Sequence, residues 1–372
     1  MKDSILEGIT GGPYWPFKCL LLILLFVLLF TCSPAVLIKK DLSLPPAYAL
    51  KAQHPFADTA RIAVPQGAGE RSHGAKLTPR LVGSFMLWAT NKASLHPYLP
   101  ATIFGLIFLL SGILVSHHIT EDRIVGLFTG LLFSGLYATS ACFSVNWTPK
   151  PYDGIAIGLL GVALLLVKRP WLLSFIAFLS CWTDERAALA LWFIAAVIVV
   201  WPSMSPQAKR KRYIALGAAV VAYLITRMIM AKALGWASPD IGLIGIDPLL
   251  SASVFQLAAW SAFEGGWIVI AYALWLLLQR KSYVHLSLIT ASLSVAILSS
   301  LLVLDVSRSA AFSFPLILAS LAILKNGGLS CRELRYITGI AAGIALLAPN
   351  FEIITGVAIR WLPSYFAYLF LR

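Results

Sequence analysis

Charge is the first thing this chain is short of. Asp, Glu, Lys and Arg together make up 12% of its 372 residues, against about 25% in ordinary soluble domains. That scarcity excludes the two or three water-soluble domains that the length alone would allow. Acidic residues are scarcer still, 16 against 29 basic ones, for a net charge of +13. An excess of this sign can mark a nucleic-acid binder. Here most basic residues sit in short loops between hydrophobic runs, where they orient a chain in a membrane, so nucleic acid is not an expected partner. The five cysteines (Cys19, Cys32, Cys142, Cys181 and Cys331) have no disulfide or metal spacing and lie mostly in or beside apolar runs, as small hydrophobes do. There is no Gly-rich phosphate loop, HExxH, CxxC or GxSxG, and no repeat of fixed period. No small-x-small cleavage pattern precedes Lys39-Lys40, and Phe30-Thr31 before Cys32 makes a poor lipidation box, so the first apolar run reads as a span and not as a signal peptide.

Apolar residues are what the chain has in excess, at 59%. They come in runs, each suited to a hydrocarbon core of about 30 Å. The expected spans are 17–38, 98–117, 124–146, 153–167, 171–183 with 186–201, 213–235, 253–279, 283–304, 309–324, 336–349 and 351–370. The predicted fold is therefore an all-α polytopic membrane protein of about 10–12 transmembrane helices, one membrane-embedded body over 1–372. Residues 39–97 form its long extracytoplasmic loop. That loop begins proline-rich (Pro45, Pro46, Pro55 and Pro65) and ends at Thr78 to Asn91. Pro79 near a helix start and the stripe Leu81, Phe85, Trp88 there predict a helix on the membrane surface.

Counting Lys and Arg places the N-terminus in the cytoplasm. Arg123, Lys168-Arg169, Lys209 to Arg212, Arg280-Lys281, Lys325, Arg332 and Arg335 then all fall inside, provided that 171–201 is a hairpin. Against this stand eight basic residues in the long loop. The rival topology puts that loop inside and makes 171–201 a single tilted span, which leaves Lys168-Arg169 outside. We prefer the first, because short loops follow the rule better than long ones.

In the preferred topology the distinctive polar groups gather outside: Asp41, Asp58, Arg61, Arg80, Asp153, Asp184-Glu185-Arg186, Asp240, Asp247, Asp305, Arg308 and Glu352. Thr183-Asp184-Glu185-Arg186 interrupts an apolar stretch. Ionisable groups there are costly and often functional, yet Thr183 or Asp184 can equally cap the next helix. The two roles are compatible. Asp305 and Arg308 make a similar break, in which Arg308 either grips a phosphate or snorkels to headgroups. Arg227 and Glu264 lie 15 and 16 residues from the boundary arginines Arg212 and Arg280. Their similar depth predicts a buried ion pair, with a substrate contact as the alternative. In the loop, His54, Asp58 and Arg61 offer a base and an anion ligand. Arg80 follows the helix-start proline.

With a first span, a long outer loop carrying a surface helix, many further spans and outer acid–arginine groups, the layout resembles the GT-C superfamily of integral membrane glycosyltransferases. The resemblance covers the whole chain as architecture and rests on no specific motif. It implies transfer of a sugar from a polyprenyl-phosphate carrier, the lipid-linked sugar acting as donor substrate, at the outer face of the cytoplasmic membrane. Family members often carry an acidic residue, sometimes a pair, early in the first outer loop as catalytic base. The matching positions are Asp58 and Asp41, each alone, so metal dependence stays open. Arg61, Arg80, Asp184, Glu185, Arg186, Asp305 and Arg308 would be substrate-binding. Bacterial polytopic proteins of unassigned function with an acidic-acidic-Arg break and a later Asp-x-x-Arg break look similar too. The alternatives are a transporter or lipid flippase, an outer-leaflet polysaccharide polymerase or ligase, and a membrane scaffold.

Overall fold

The computed structural model describes residues 2–28, 80–95, 99–143, 151–234, 252–301, 306–348, 350–353 and 357–360. It is helical apart from one small hairpin. In chain order the helices are α1 (Lys2–Thr10), α2 (Trp15–Phe26), α3 (Leu81–Lys92), α4 (Leu99–Thr120), α5 (Arg123–Gly135), α6 (Tyr137–Phe143), α7 (Pro151–Leu165) and α8 (Pro170–Thr183). They continue with α9 (Arg186–Val200), α10 (Pro206–Leu234), α11 (Ala252–Phe263), α12 (Gly266–Gln279), α13 (Tyr283–Leu301), α14 (Val306–Ala311), α15 (Pro315–Asn326) and α16 (Cys331–Leu347). Strands β1 (Asn350–Ile353) and β2 (Val357–Arg360) follow.

Among the described residues, α4, α10, α13 and the continuous α14–α15 unit are long and apolar enough to cross a membrane. A fifth qualifies if α5 and α6, bent by 71° at Leu136, count as one. The described residues thus hold four or five candidate spans, against the about 10–12 transmembrane helices expected. Within the described residues several predicted spans are helices of 12–15 residues, about 18–22 Å long, and the 171–201 and 253–279 stretches are interrupted at Asp184-Glu185 and at Glu264.

The loops sort the two ends of the bundle. Arg212 on α10 donates from Nε to Val167 O at 2.6 Å and from Nη2 to Lys168 O at 3.1 Å. One turn earlier, Lys209 Nζ reaches Val199 O at 2.5 Å. A single crossing by 170–200 would hold those two sites about 45 Å apart. Both ends of the segment instead meet the first turns of α10, so α8 and α9 form a hairpin with its apex at Asp184-Glu185. Asn326 Nδ2 also bonds Val200 O at 2.7 Å, and Arg280 bonds Gly327 O. Arg335 pairs with Asp122 at 2.8 Å, and Arg123 reaches back to Thr10 O at 3.2 Å. Lys168, Lys209 to Arg212, Arg280 and Lys325 therefore share one end of the molecule with the N-terminal helices. We call it the basic end.

Helix packing between these elements relies on close approach and interlocked side chains. Phe108 of α4 and Phe133 of α5 stack at 5.0 Å, and Phe314 at the start of α15 meets both edge-on at 4.9 and 5.6 Å. Residues 253–279, expected as one span, are split into α11 and α12 at Glu264, whose φ of 48° is left-handed. The next residue, Gly265, lies so close to α16 that a Cβ would sit 1.9 Å from Ala341 O. Only glycine permits that approach.

Two further expectations are corrected. The surface helix exists as α3, but it is docked on the bundle. Arg80, Gly83, Ser84 and Leu87, on one face by their i, i+3, i+4 spacing, are all buried, and Phe85 faces outward. The last predicted span, 351–370, begins with strands and not a helix: β1 and β2 pair antiparallel with Asn350 opposite Arg360 and Ile353 opposite Val357. Ile353, Ile354, Thr355, Val357 and Ile359 crowd β-branched residues around Gly356, which favours strands over helix. This hairpin packs on α11 and α14.

Candidate functional site

At the end of the bundle opposite the basic loops, three arginines and three carboxylates interleave. The α8–α9 apex supplies the middle of the array. Asp184 leaves the helical region (φ −152°, ψ 129°), and its Oδ1 accepts the backbone N–H of Arg186 at 3.0 Å. Asp184 thus ends α8 and, from one position before the N-cap Glu185, satisfies the first N–H of α9; it is a charge partner as well. The same carboxylate accepts Arg186 Nε at 2.8 Å and Nη2 at 2.7 Å, and Arg80 Nη1 lies 2.8 Å from its Oδ2. Arg80, just ahead of α3, forks onto Glu185 with Nη2–Oε1 at 2.9 Å and Nε–Oε2 at 3.2 Å.

The other side of the array is anchored by Asp153 in the first turn of α7. Its Oδ1 accepts Arg186 Nη2 at 2.6 Å and Arg308 Nη2 at 3.0 Å. Its Oδ2 accepts Arg308 Nε at 2.5 Å. Among the described residues, the order Glu185–Arg80–Asp184–Arg186–Asp153–Arg308 alternates sign throughout and sums to zero. Asp153 and Asp184 are fully buried, whereas the Glu185 side chain is 42% exposed. The array thus has a sealed interior and one open edge.

Aromatic faces and hydroxyls frame it. Arg186 lies 5.0 Å over the Phe312 ring and Arg80 5.7 Å over Tyr152, favourable placements for guanidinium groups. Tyr152 OH and Ser84 Oγ are 2.9 Å apart. A Cβ at Gly83 would fall 2.4 Å from the Tyr152 ring, so a glycine there lets α3 seat Arg80. Ser309 Oγ is buried with no hydrogen-bond partner among the described residues. Among those residues, no three His, Cys, Asp or Glu side chains gather as a metal set.

Of the residues predicted from sequence, Arg80, Asp184, Glu185, Arg186 and Arg308 come together. Asp41, Asp58, Arg61 and Asp305 lie outside the described residues. Asp153 had been noted only as one of the polar groups on that side. The structure makes it the link between Arg186 and Arg308, 33 and 155 residues away. Its signal was modest: an acid in a first helical turn, one residue after a tyrosine.

The structure does not form the expected Arg227–Glu264 pair. Arg227 donates to Tyr223 OH on its own helix. Buried Glu264 accepts the backbone N–H of Tyr137 at 3.1 Å, which caps α6 at the 71° bend. The two residues ride on helices with different neighbours, α10 on α8 and α9, α11 on α13 and α14.

Planar guanidinium groups in such an array are able to grip anions. Arg80 already holds two oxygens in a fork, and a phosphate presents the same spacing. α8 puts the apex about 21 Å from the basic end, less than a hydrocarbon thickness of about 30 Å. No family model matches the chain, and neither does a curated protein or a solved structure.

Proposed function

We propose that the chain transfers a sugar from a polyprenyl-phosphate carrier to an acceptor hydroxyl at the outer face of the cytoplasmic membrane. The observation that carries this reading is the recessed alternating array of Arg80, Arg186 and Arg308 with Asp153, Asp184 and Glu185. The basic end is cytoplasmic by the excess of Lys and Arg in its short loops. The array then faces outward from below the far boundary, where ionisable groups are costly and usually functional.

The step follows from the residues available. The acceptor oxygen forms a bond to the sugar's anomeric carbon as the bond from that carbon to the carrier phosphate breaks. The carrier leaves with the bonding electrons, and the arginines offset its charge. A carboxylate takes the acceptor proton. Glu185 is the half-exposed acid of the array, and Asp41 and Asp58 lie on the segment that joins Leu28 to Arg80.

A second reading, transport, draws on the α5–α6 bend and the α11–α12 break, which meet at Glu264, since paired broken helices mark transport sites. The contact of Gly265 with Ala341 closes that junction, and we place the function at the array. The test compares binding of a polyprenyl phosphate and the same chain as free polyprenol to the reconstituted protein. Phosphate should tighten binding, and Arg80→Gln should weaken it about tenfold or more, the ~1.5–3 kcal/mol of a charged hydrogen bond. Equal binding of both lipids would refute the reading. Transfer should be lost in at least one of Asp41→Asn, Asp58→Asn and Glu185→Gln.

A further inference from the structure

A second polar site lies at the basic end, away from the array. A cavity of about 180 Å³ opens where α12 turns into α13 beside the end of α15. Arg280, Ser282, His285 and Asn326 line its polar side, with Leu276 and Ile323 among its apolar walls. Arg280 uses one guanidinium nitrogen on Gly327 O, and its other donors have no partner among the described residues. Ser282 Oγ and His285 Nδ1 are 3.0 Å apart, so the hydroxyl and the ring nitrogen hold each other at the cavity wall. Asn326 is fixed by its bond to Val200 O.

The three segments that line the cavity carry charge of one sign. Residues 200–212, 276–286 and 323–329 contain Lys209, Arg210, Lys211, Arg212, Arg280, Lys281 and Lys325 and no Asp or Glu. The surface beside the mouth is apolar and exposed: Trp275, Leu278, Tyr283 and Val284 all face outward. Trp and Tyr are favoured where a bilayer meets water. An occupant suited to this place carries a negative head and a hydrocarbon tail together. We infer that this cavity binds the headgroup phosphate of an anionic phospholipid from the leaflet at the basic end, with Arg280 as the phosphate ligand. Basic pockets between helices on that side are suited to such headgroups.

The experiment uses the full chain purified in detergent and native mass spectrometry. Phosphatidylglycerol and phosphatidylcholine of identical acyl chains are added in competition. The wild type should retain phosphatidylglycerol about fivefold more tightly. Arg280→Gln should lose that preference, and so should Ser282→Leu, which fills the mouth without changing charge. Arg332→Gln, which removes an exposed charge at the same end but outside the cavity, should keep it. If Arg280→Gln does not fold, Ser282→Leu carries the test. Equal retention of both lipids by the wild type would overturn the inference, as would a preference that survives in Ser282→Leu. Complete displacement of the lipid by millimolar inorganic phosphate would overturn the lipid assignment in favour of a soluble anion.

Discussion

Replacing Asp153 by Asn tests whether the array behaves as one electrostatic unit. Asp153 is fully buried and accepts three bonds of 2.5–3.0 Å from two arginines. Asparagine keeps the shape but has one acceptor oxygen, and its amide would point N–H groups at a guanidinium. The array, neutral over its described residues, would go to +1, with the added charge in its sealed interior. Removing one partner from a buried pair costs about 3–5 kcal/mol, because the remaining charge is left uncompensated. We expect a loss in that range, measured by unfolding in mixed micelles with an SDS titration. The double variant Asp153→Asn/Arg308→Gln restores neutrality, so its cost should fall below the sum of the single costs by at least ~0.5 kcal/mol. Asp122→Asn is the comparison. It breaks the pair with Arg335, whose side chain is 45% exposed, and weakens a helix cap, for a loss of about 0.5–2 kcal/mol. If Asp153→Asn costs less than Asp122→Asn, the array is not the closed unit described here.

Three further outcomes follow from the same geometry. Glu264→Ala strands the buried N–H of Tyr137 and should cost about 1–3 kcal/mol, whereas Glu264→Gln keeps an acceptor and should cost less; equal losses in the same unfolding assay would rule out the capping role. In sealed vesicles and a cysteine-free background, a membrane-impermeant maleimide should label Ser203→Cys and Lys281→Cys from one side and Glu185→Cys from the other; labelling of all three from the same side would disprove the hairpin. At the basic end, Ser330 and Glu333 form a capping box ahead of α16, and the Ser330 hydroxyl and backbone bonds hold the exposed Glu333 carboxyl below its usual range. A lowered folded value means that this contribution is present above the unfolded value of about 4.3 and is lost only as the pH falls through the folded one. Hydrogen-exchange protection of 331–334, corrected for intrinsic rates, should therefore persist just below that pH in the wild type and fail earlier in Ser330→Ala.

The parts of this architecture that the sequence made legible are those written in local charge. Basic loops spaced by apolar runs gave the two ends of the bundle, and the charged break at Asp184-Glu185-Arg186 marked the apex of a hairpin. Long-range pairing was not legible in the same way. Nothing in spacing ties Asp153 to Arg308, 155 residues away. Matching Arg227 to Glu264 by depth failed because depth says nothing about which helices are neighbours. The α5–α6 bend is likewise set from outside, by the buried side chain of Glu264 at the α11–α12 break. In the C-terminal segment hydropathy alone pointed to a span, and the β-branched run around Gly356 overrode it.

A neutral ionic array is a poor device for stability, since well-packed apolar residues in its place are often neutral or better by about 1–4 kcal/mol. Its value lies in what it can exchange. A lipid phosphate entering beside Arg80 brings negative charge that the three carboxylates already supply, so one of them must give way. Asp153 and Asp184 are locked in the interior by two arginines each. Among the described residues Glu185 is bonded by Arg80 alone, and it reaches solvent, so it is the acid that leaves. Freed from its guanidinium as the phosphate arrives, it becomes available to take a proton. Glu185→Gln should then bind polyprenyl phosphate more tightly than the wild type. The gain is bounded by the worth of a partly exposed ion pair, about 1 kcal/mol or a factor of about five. Binding of uncharged polyprenol should not change. Weaker phosphate binding by Glu185→Gln would mean that the carboxylate helps to hold the ligand, and the exchange argued here would be wrong.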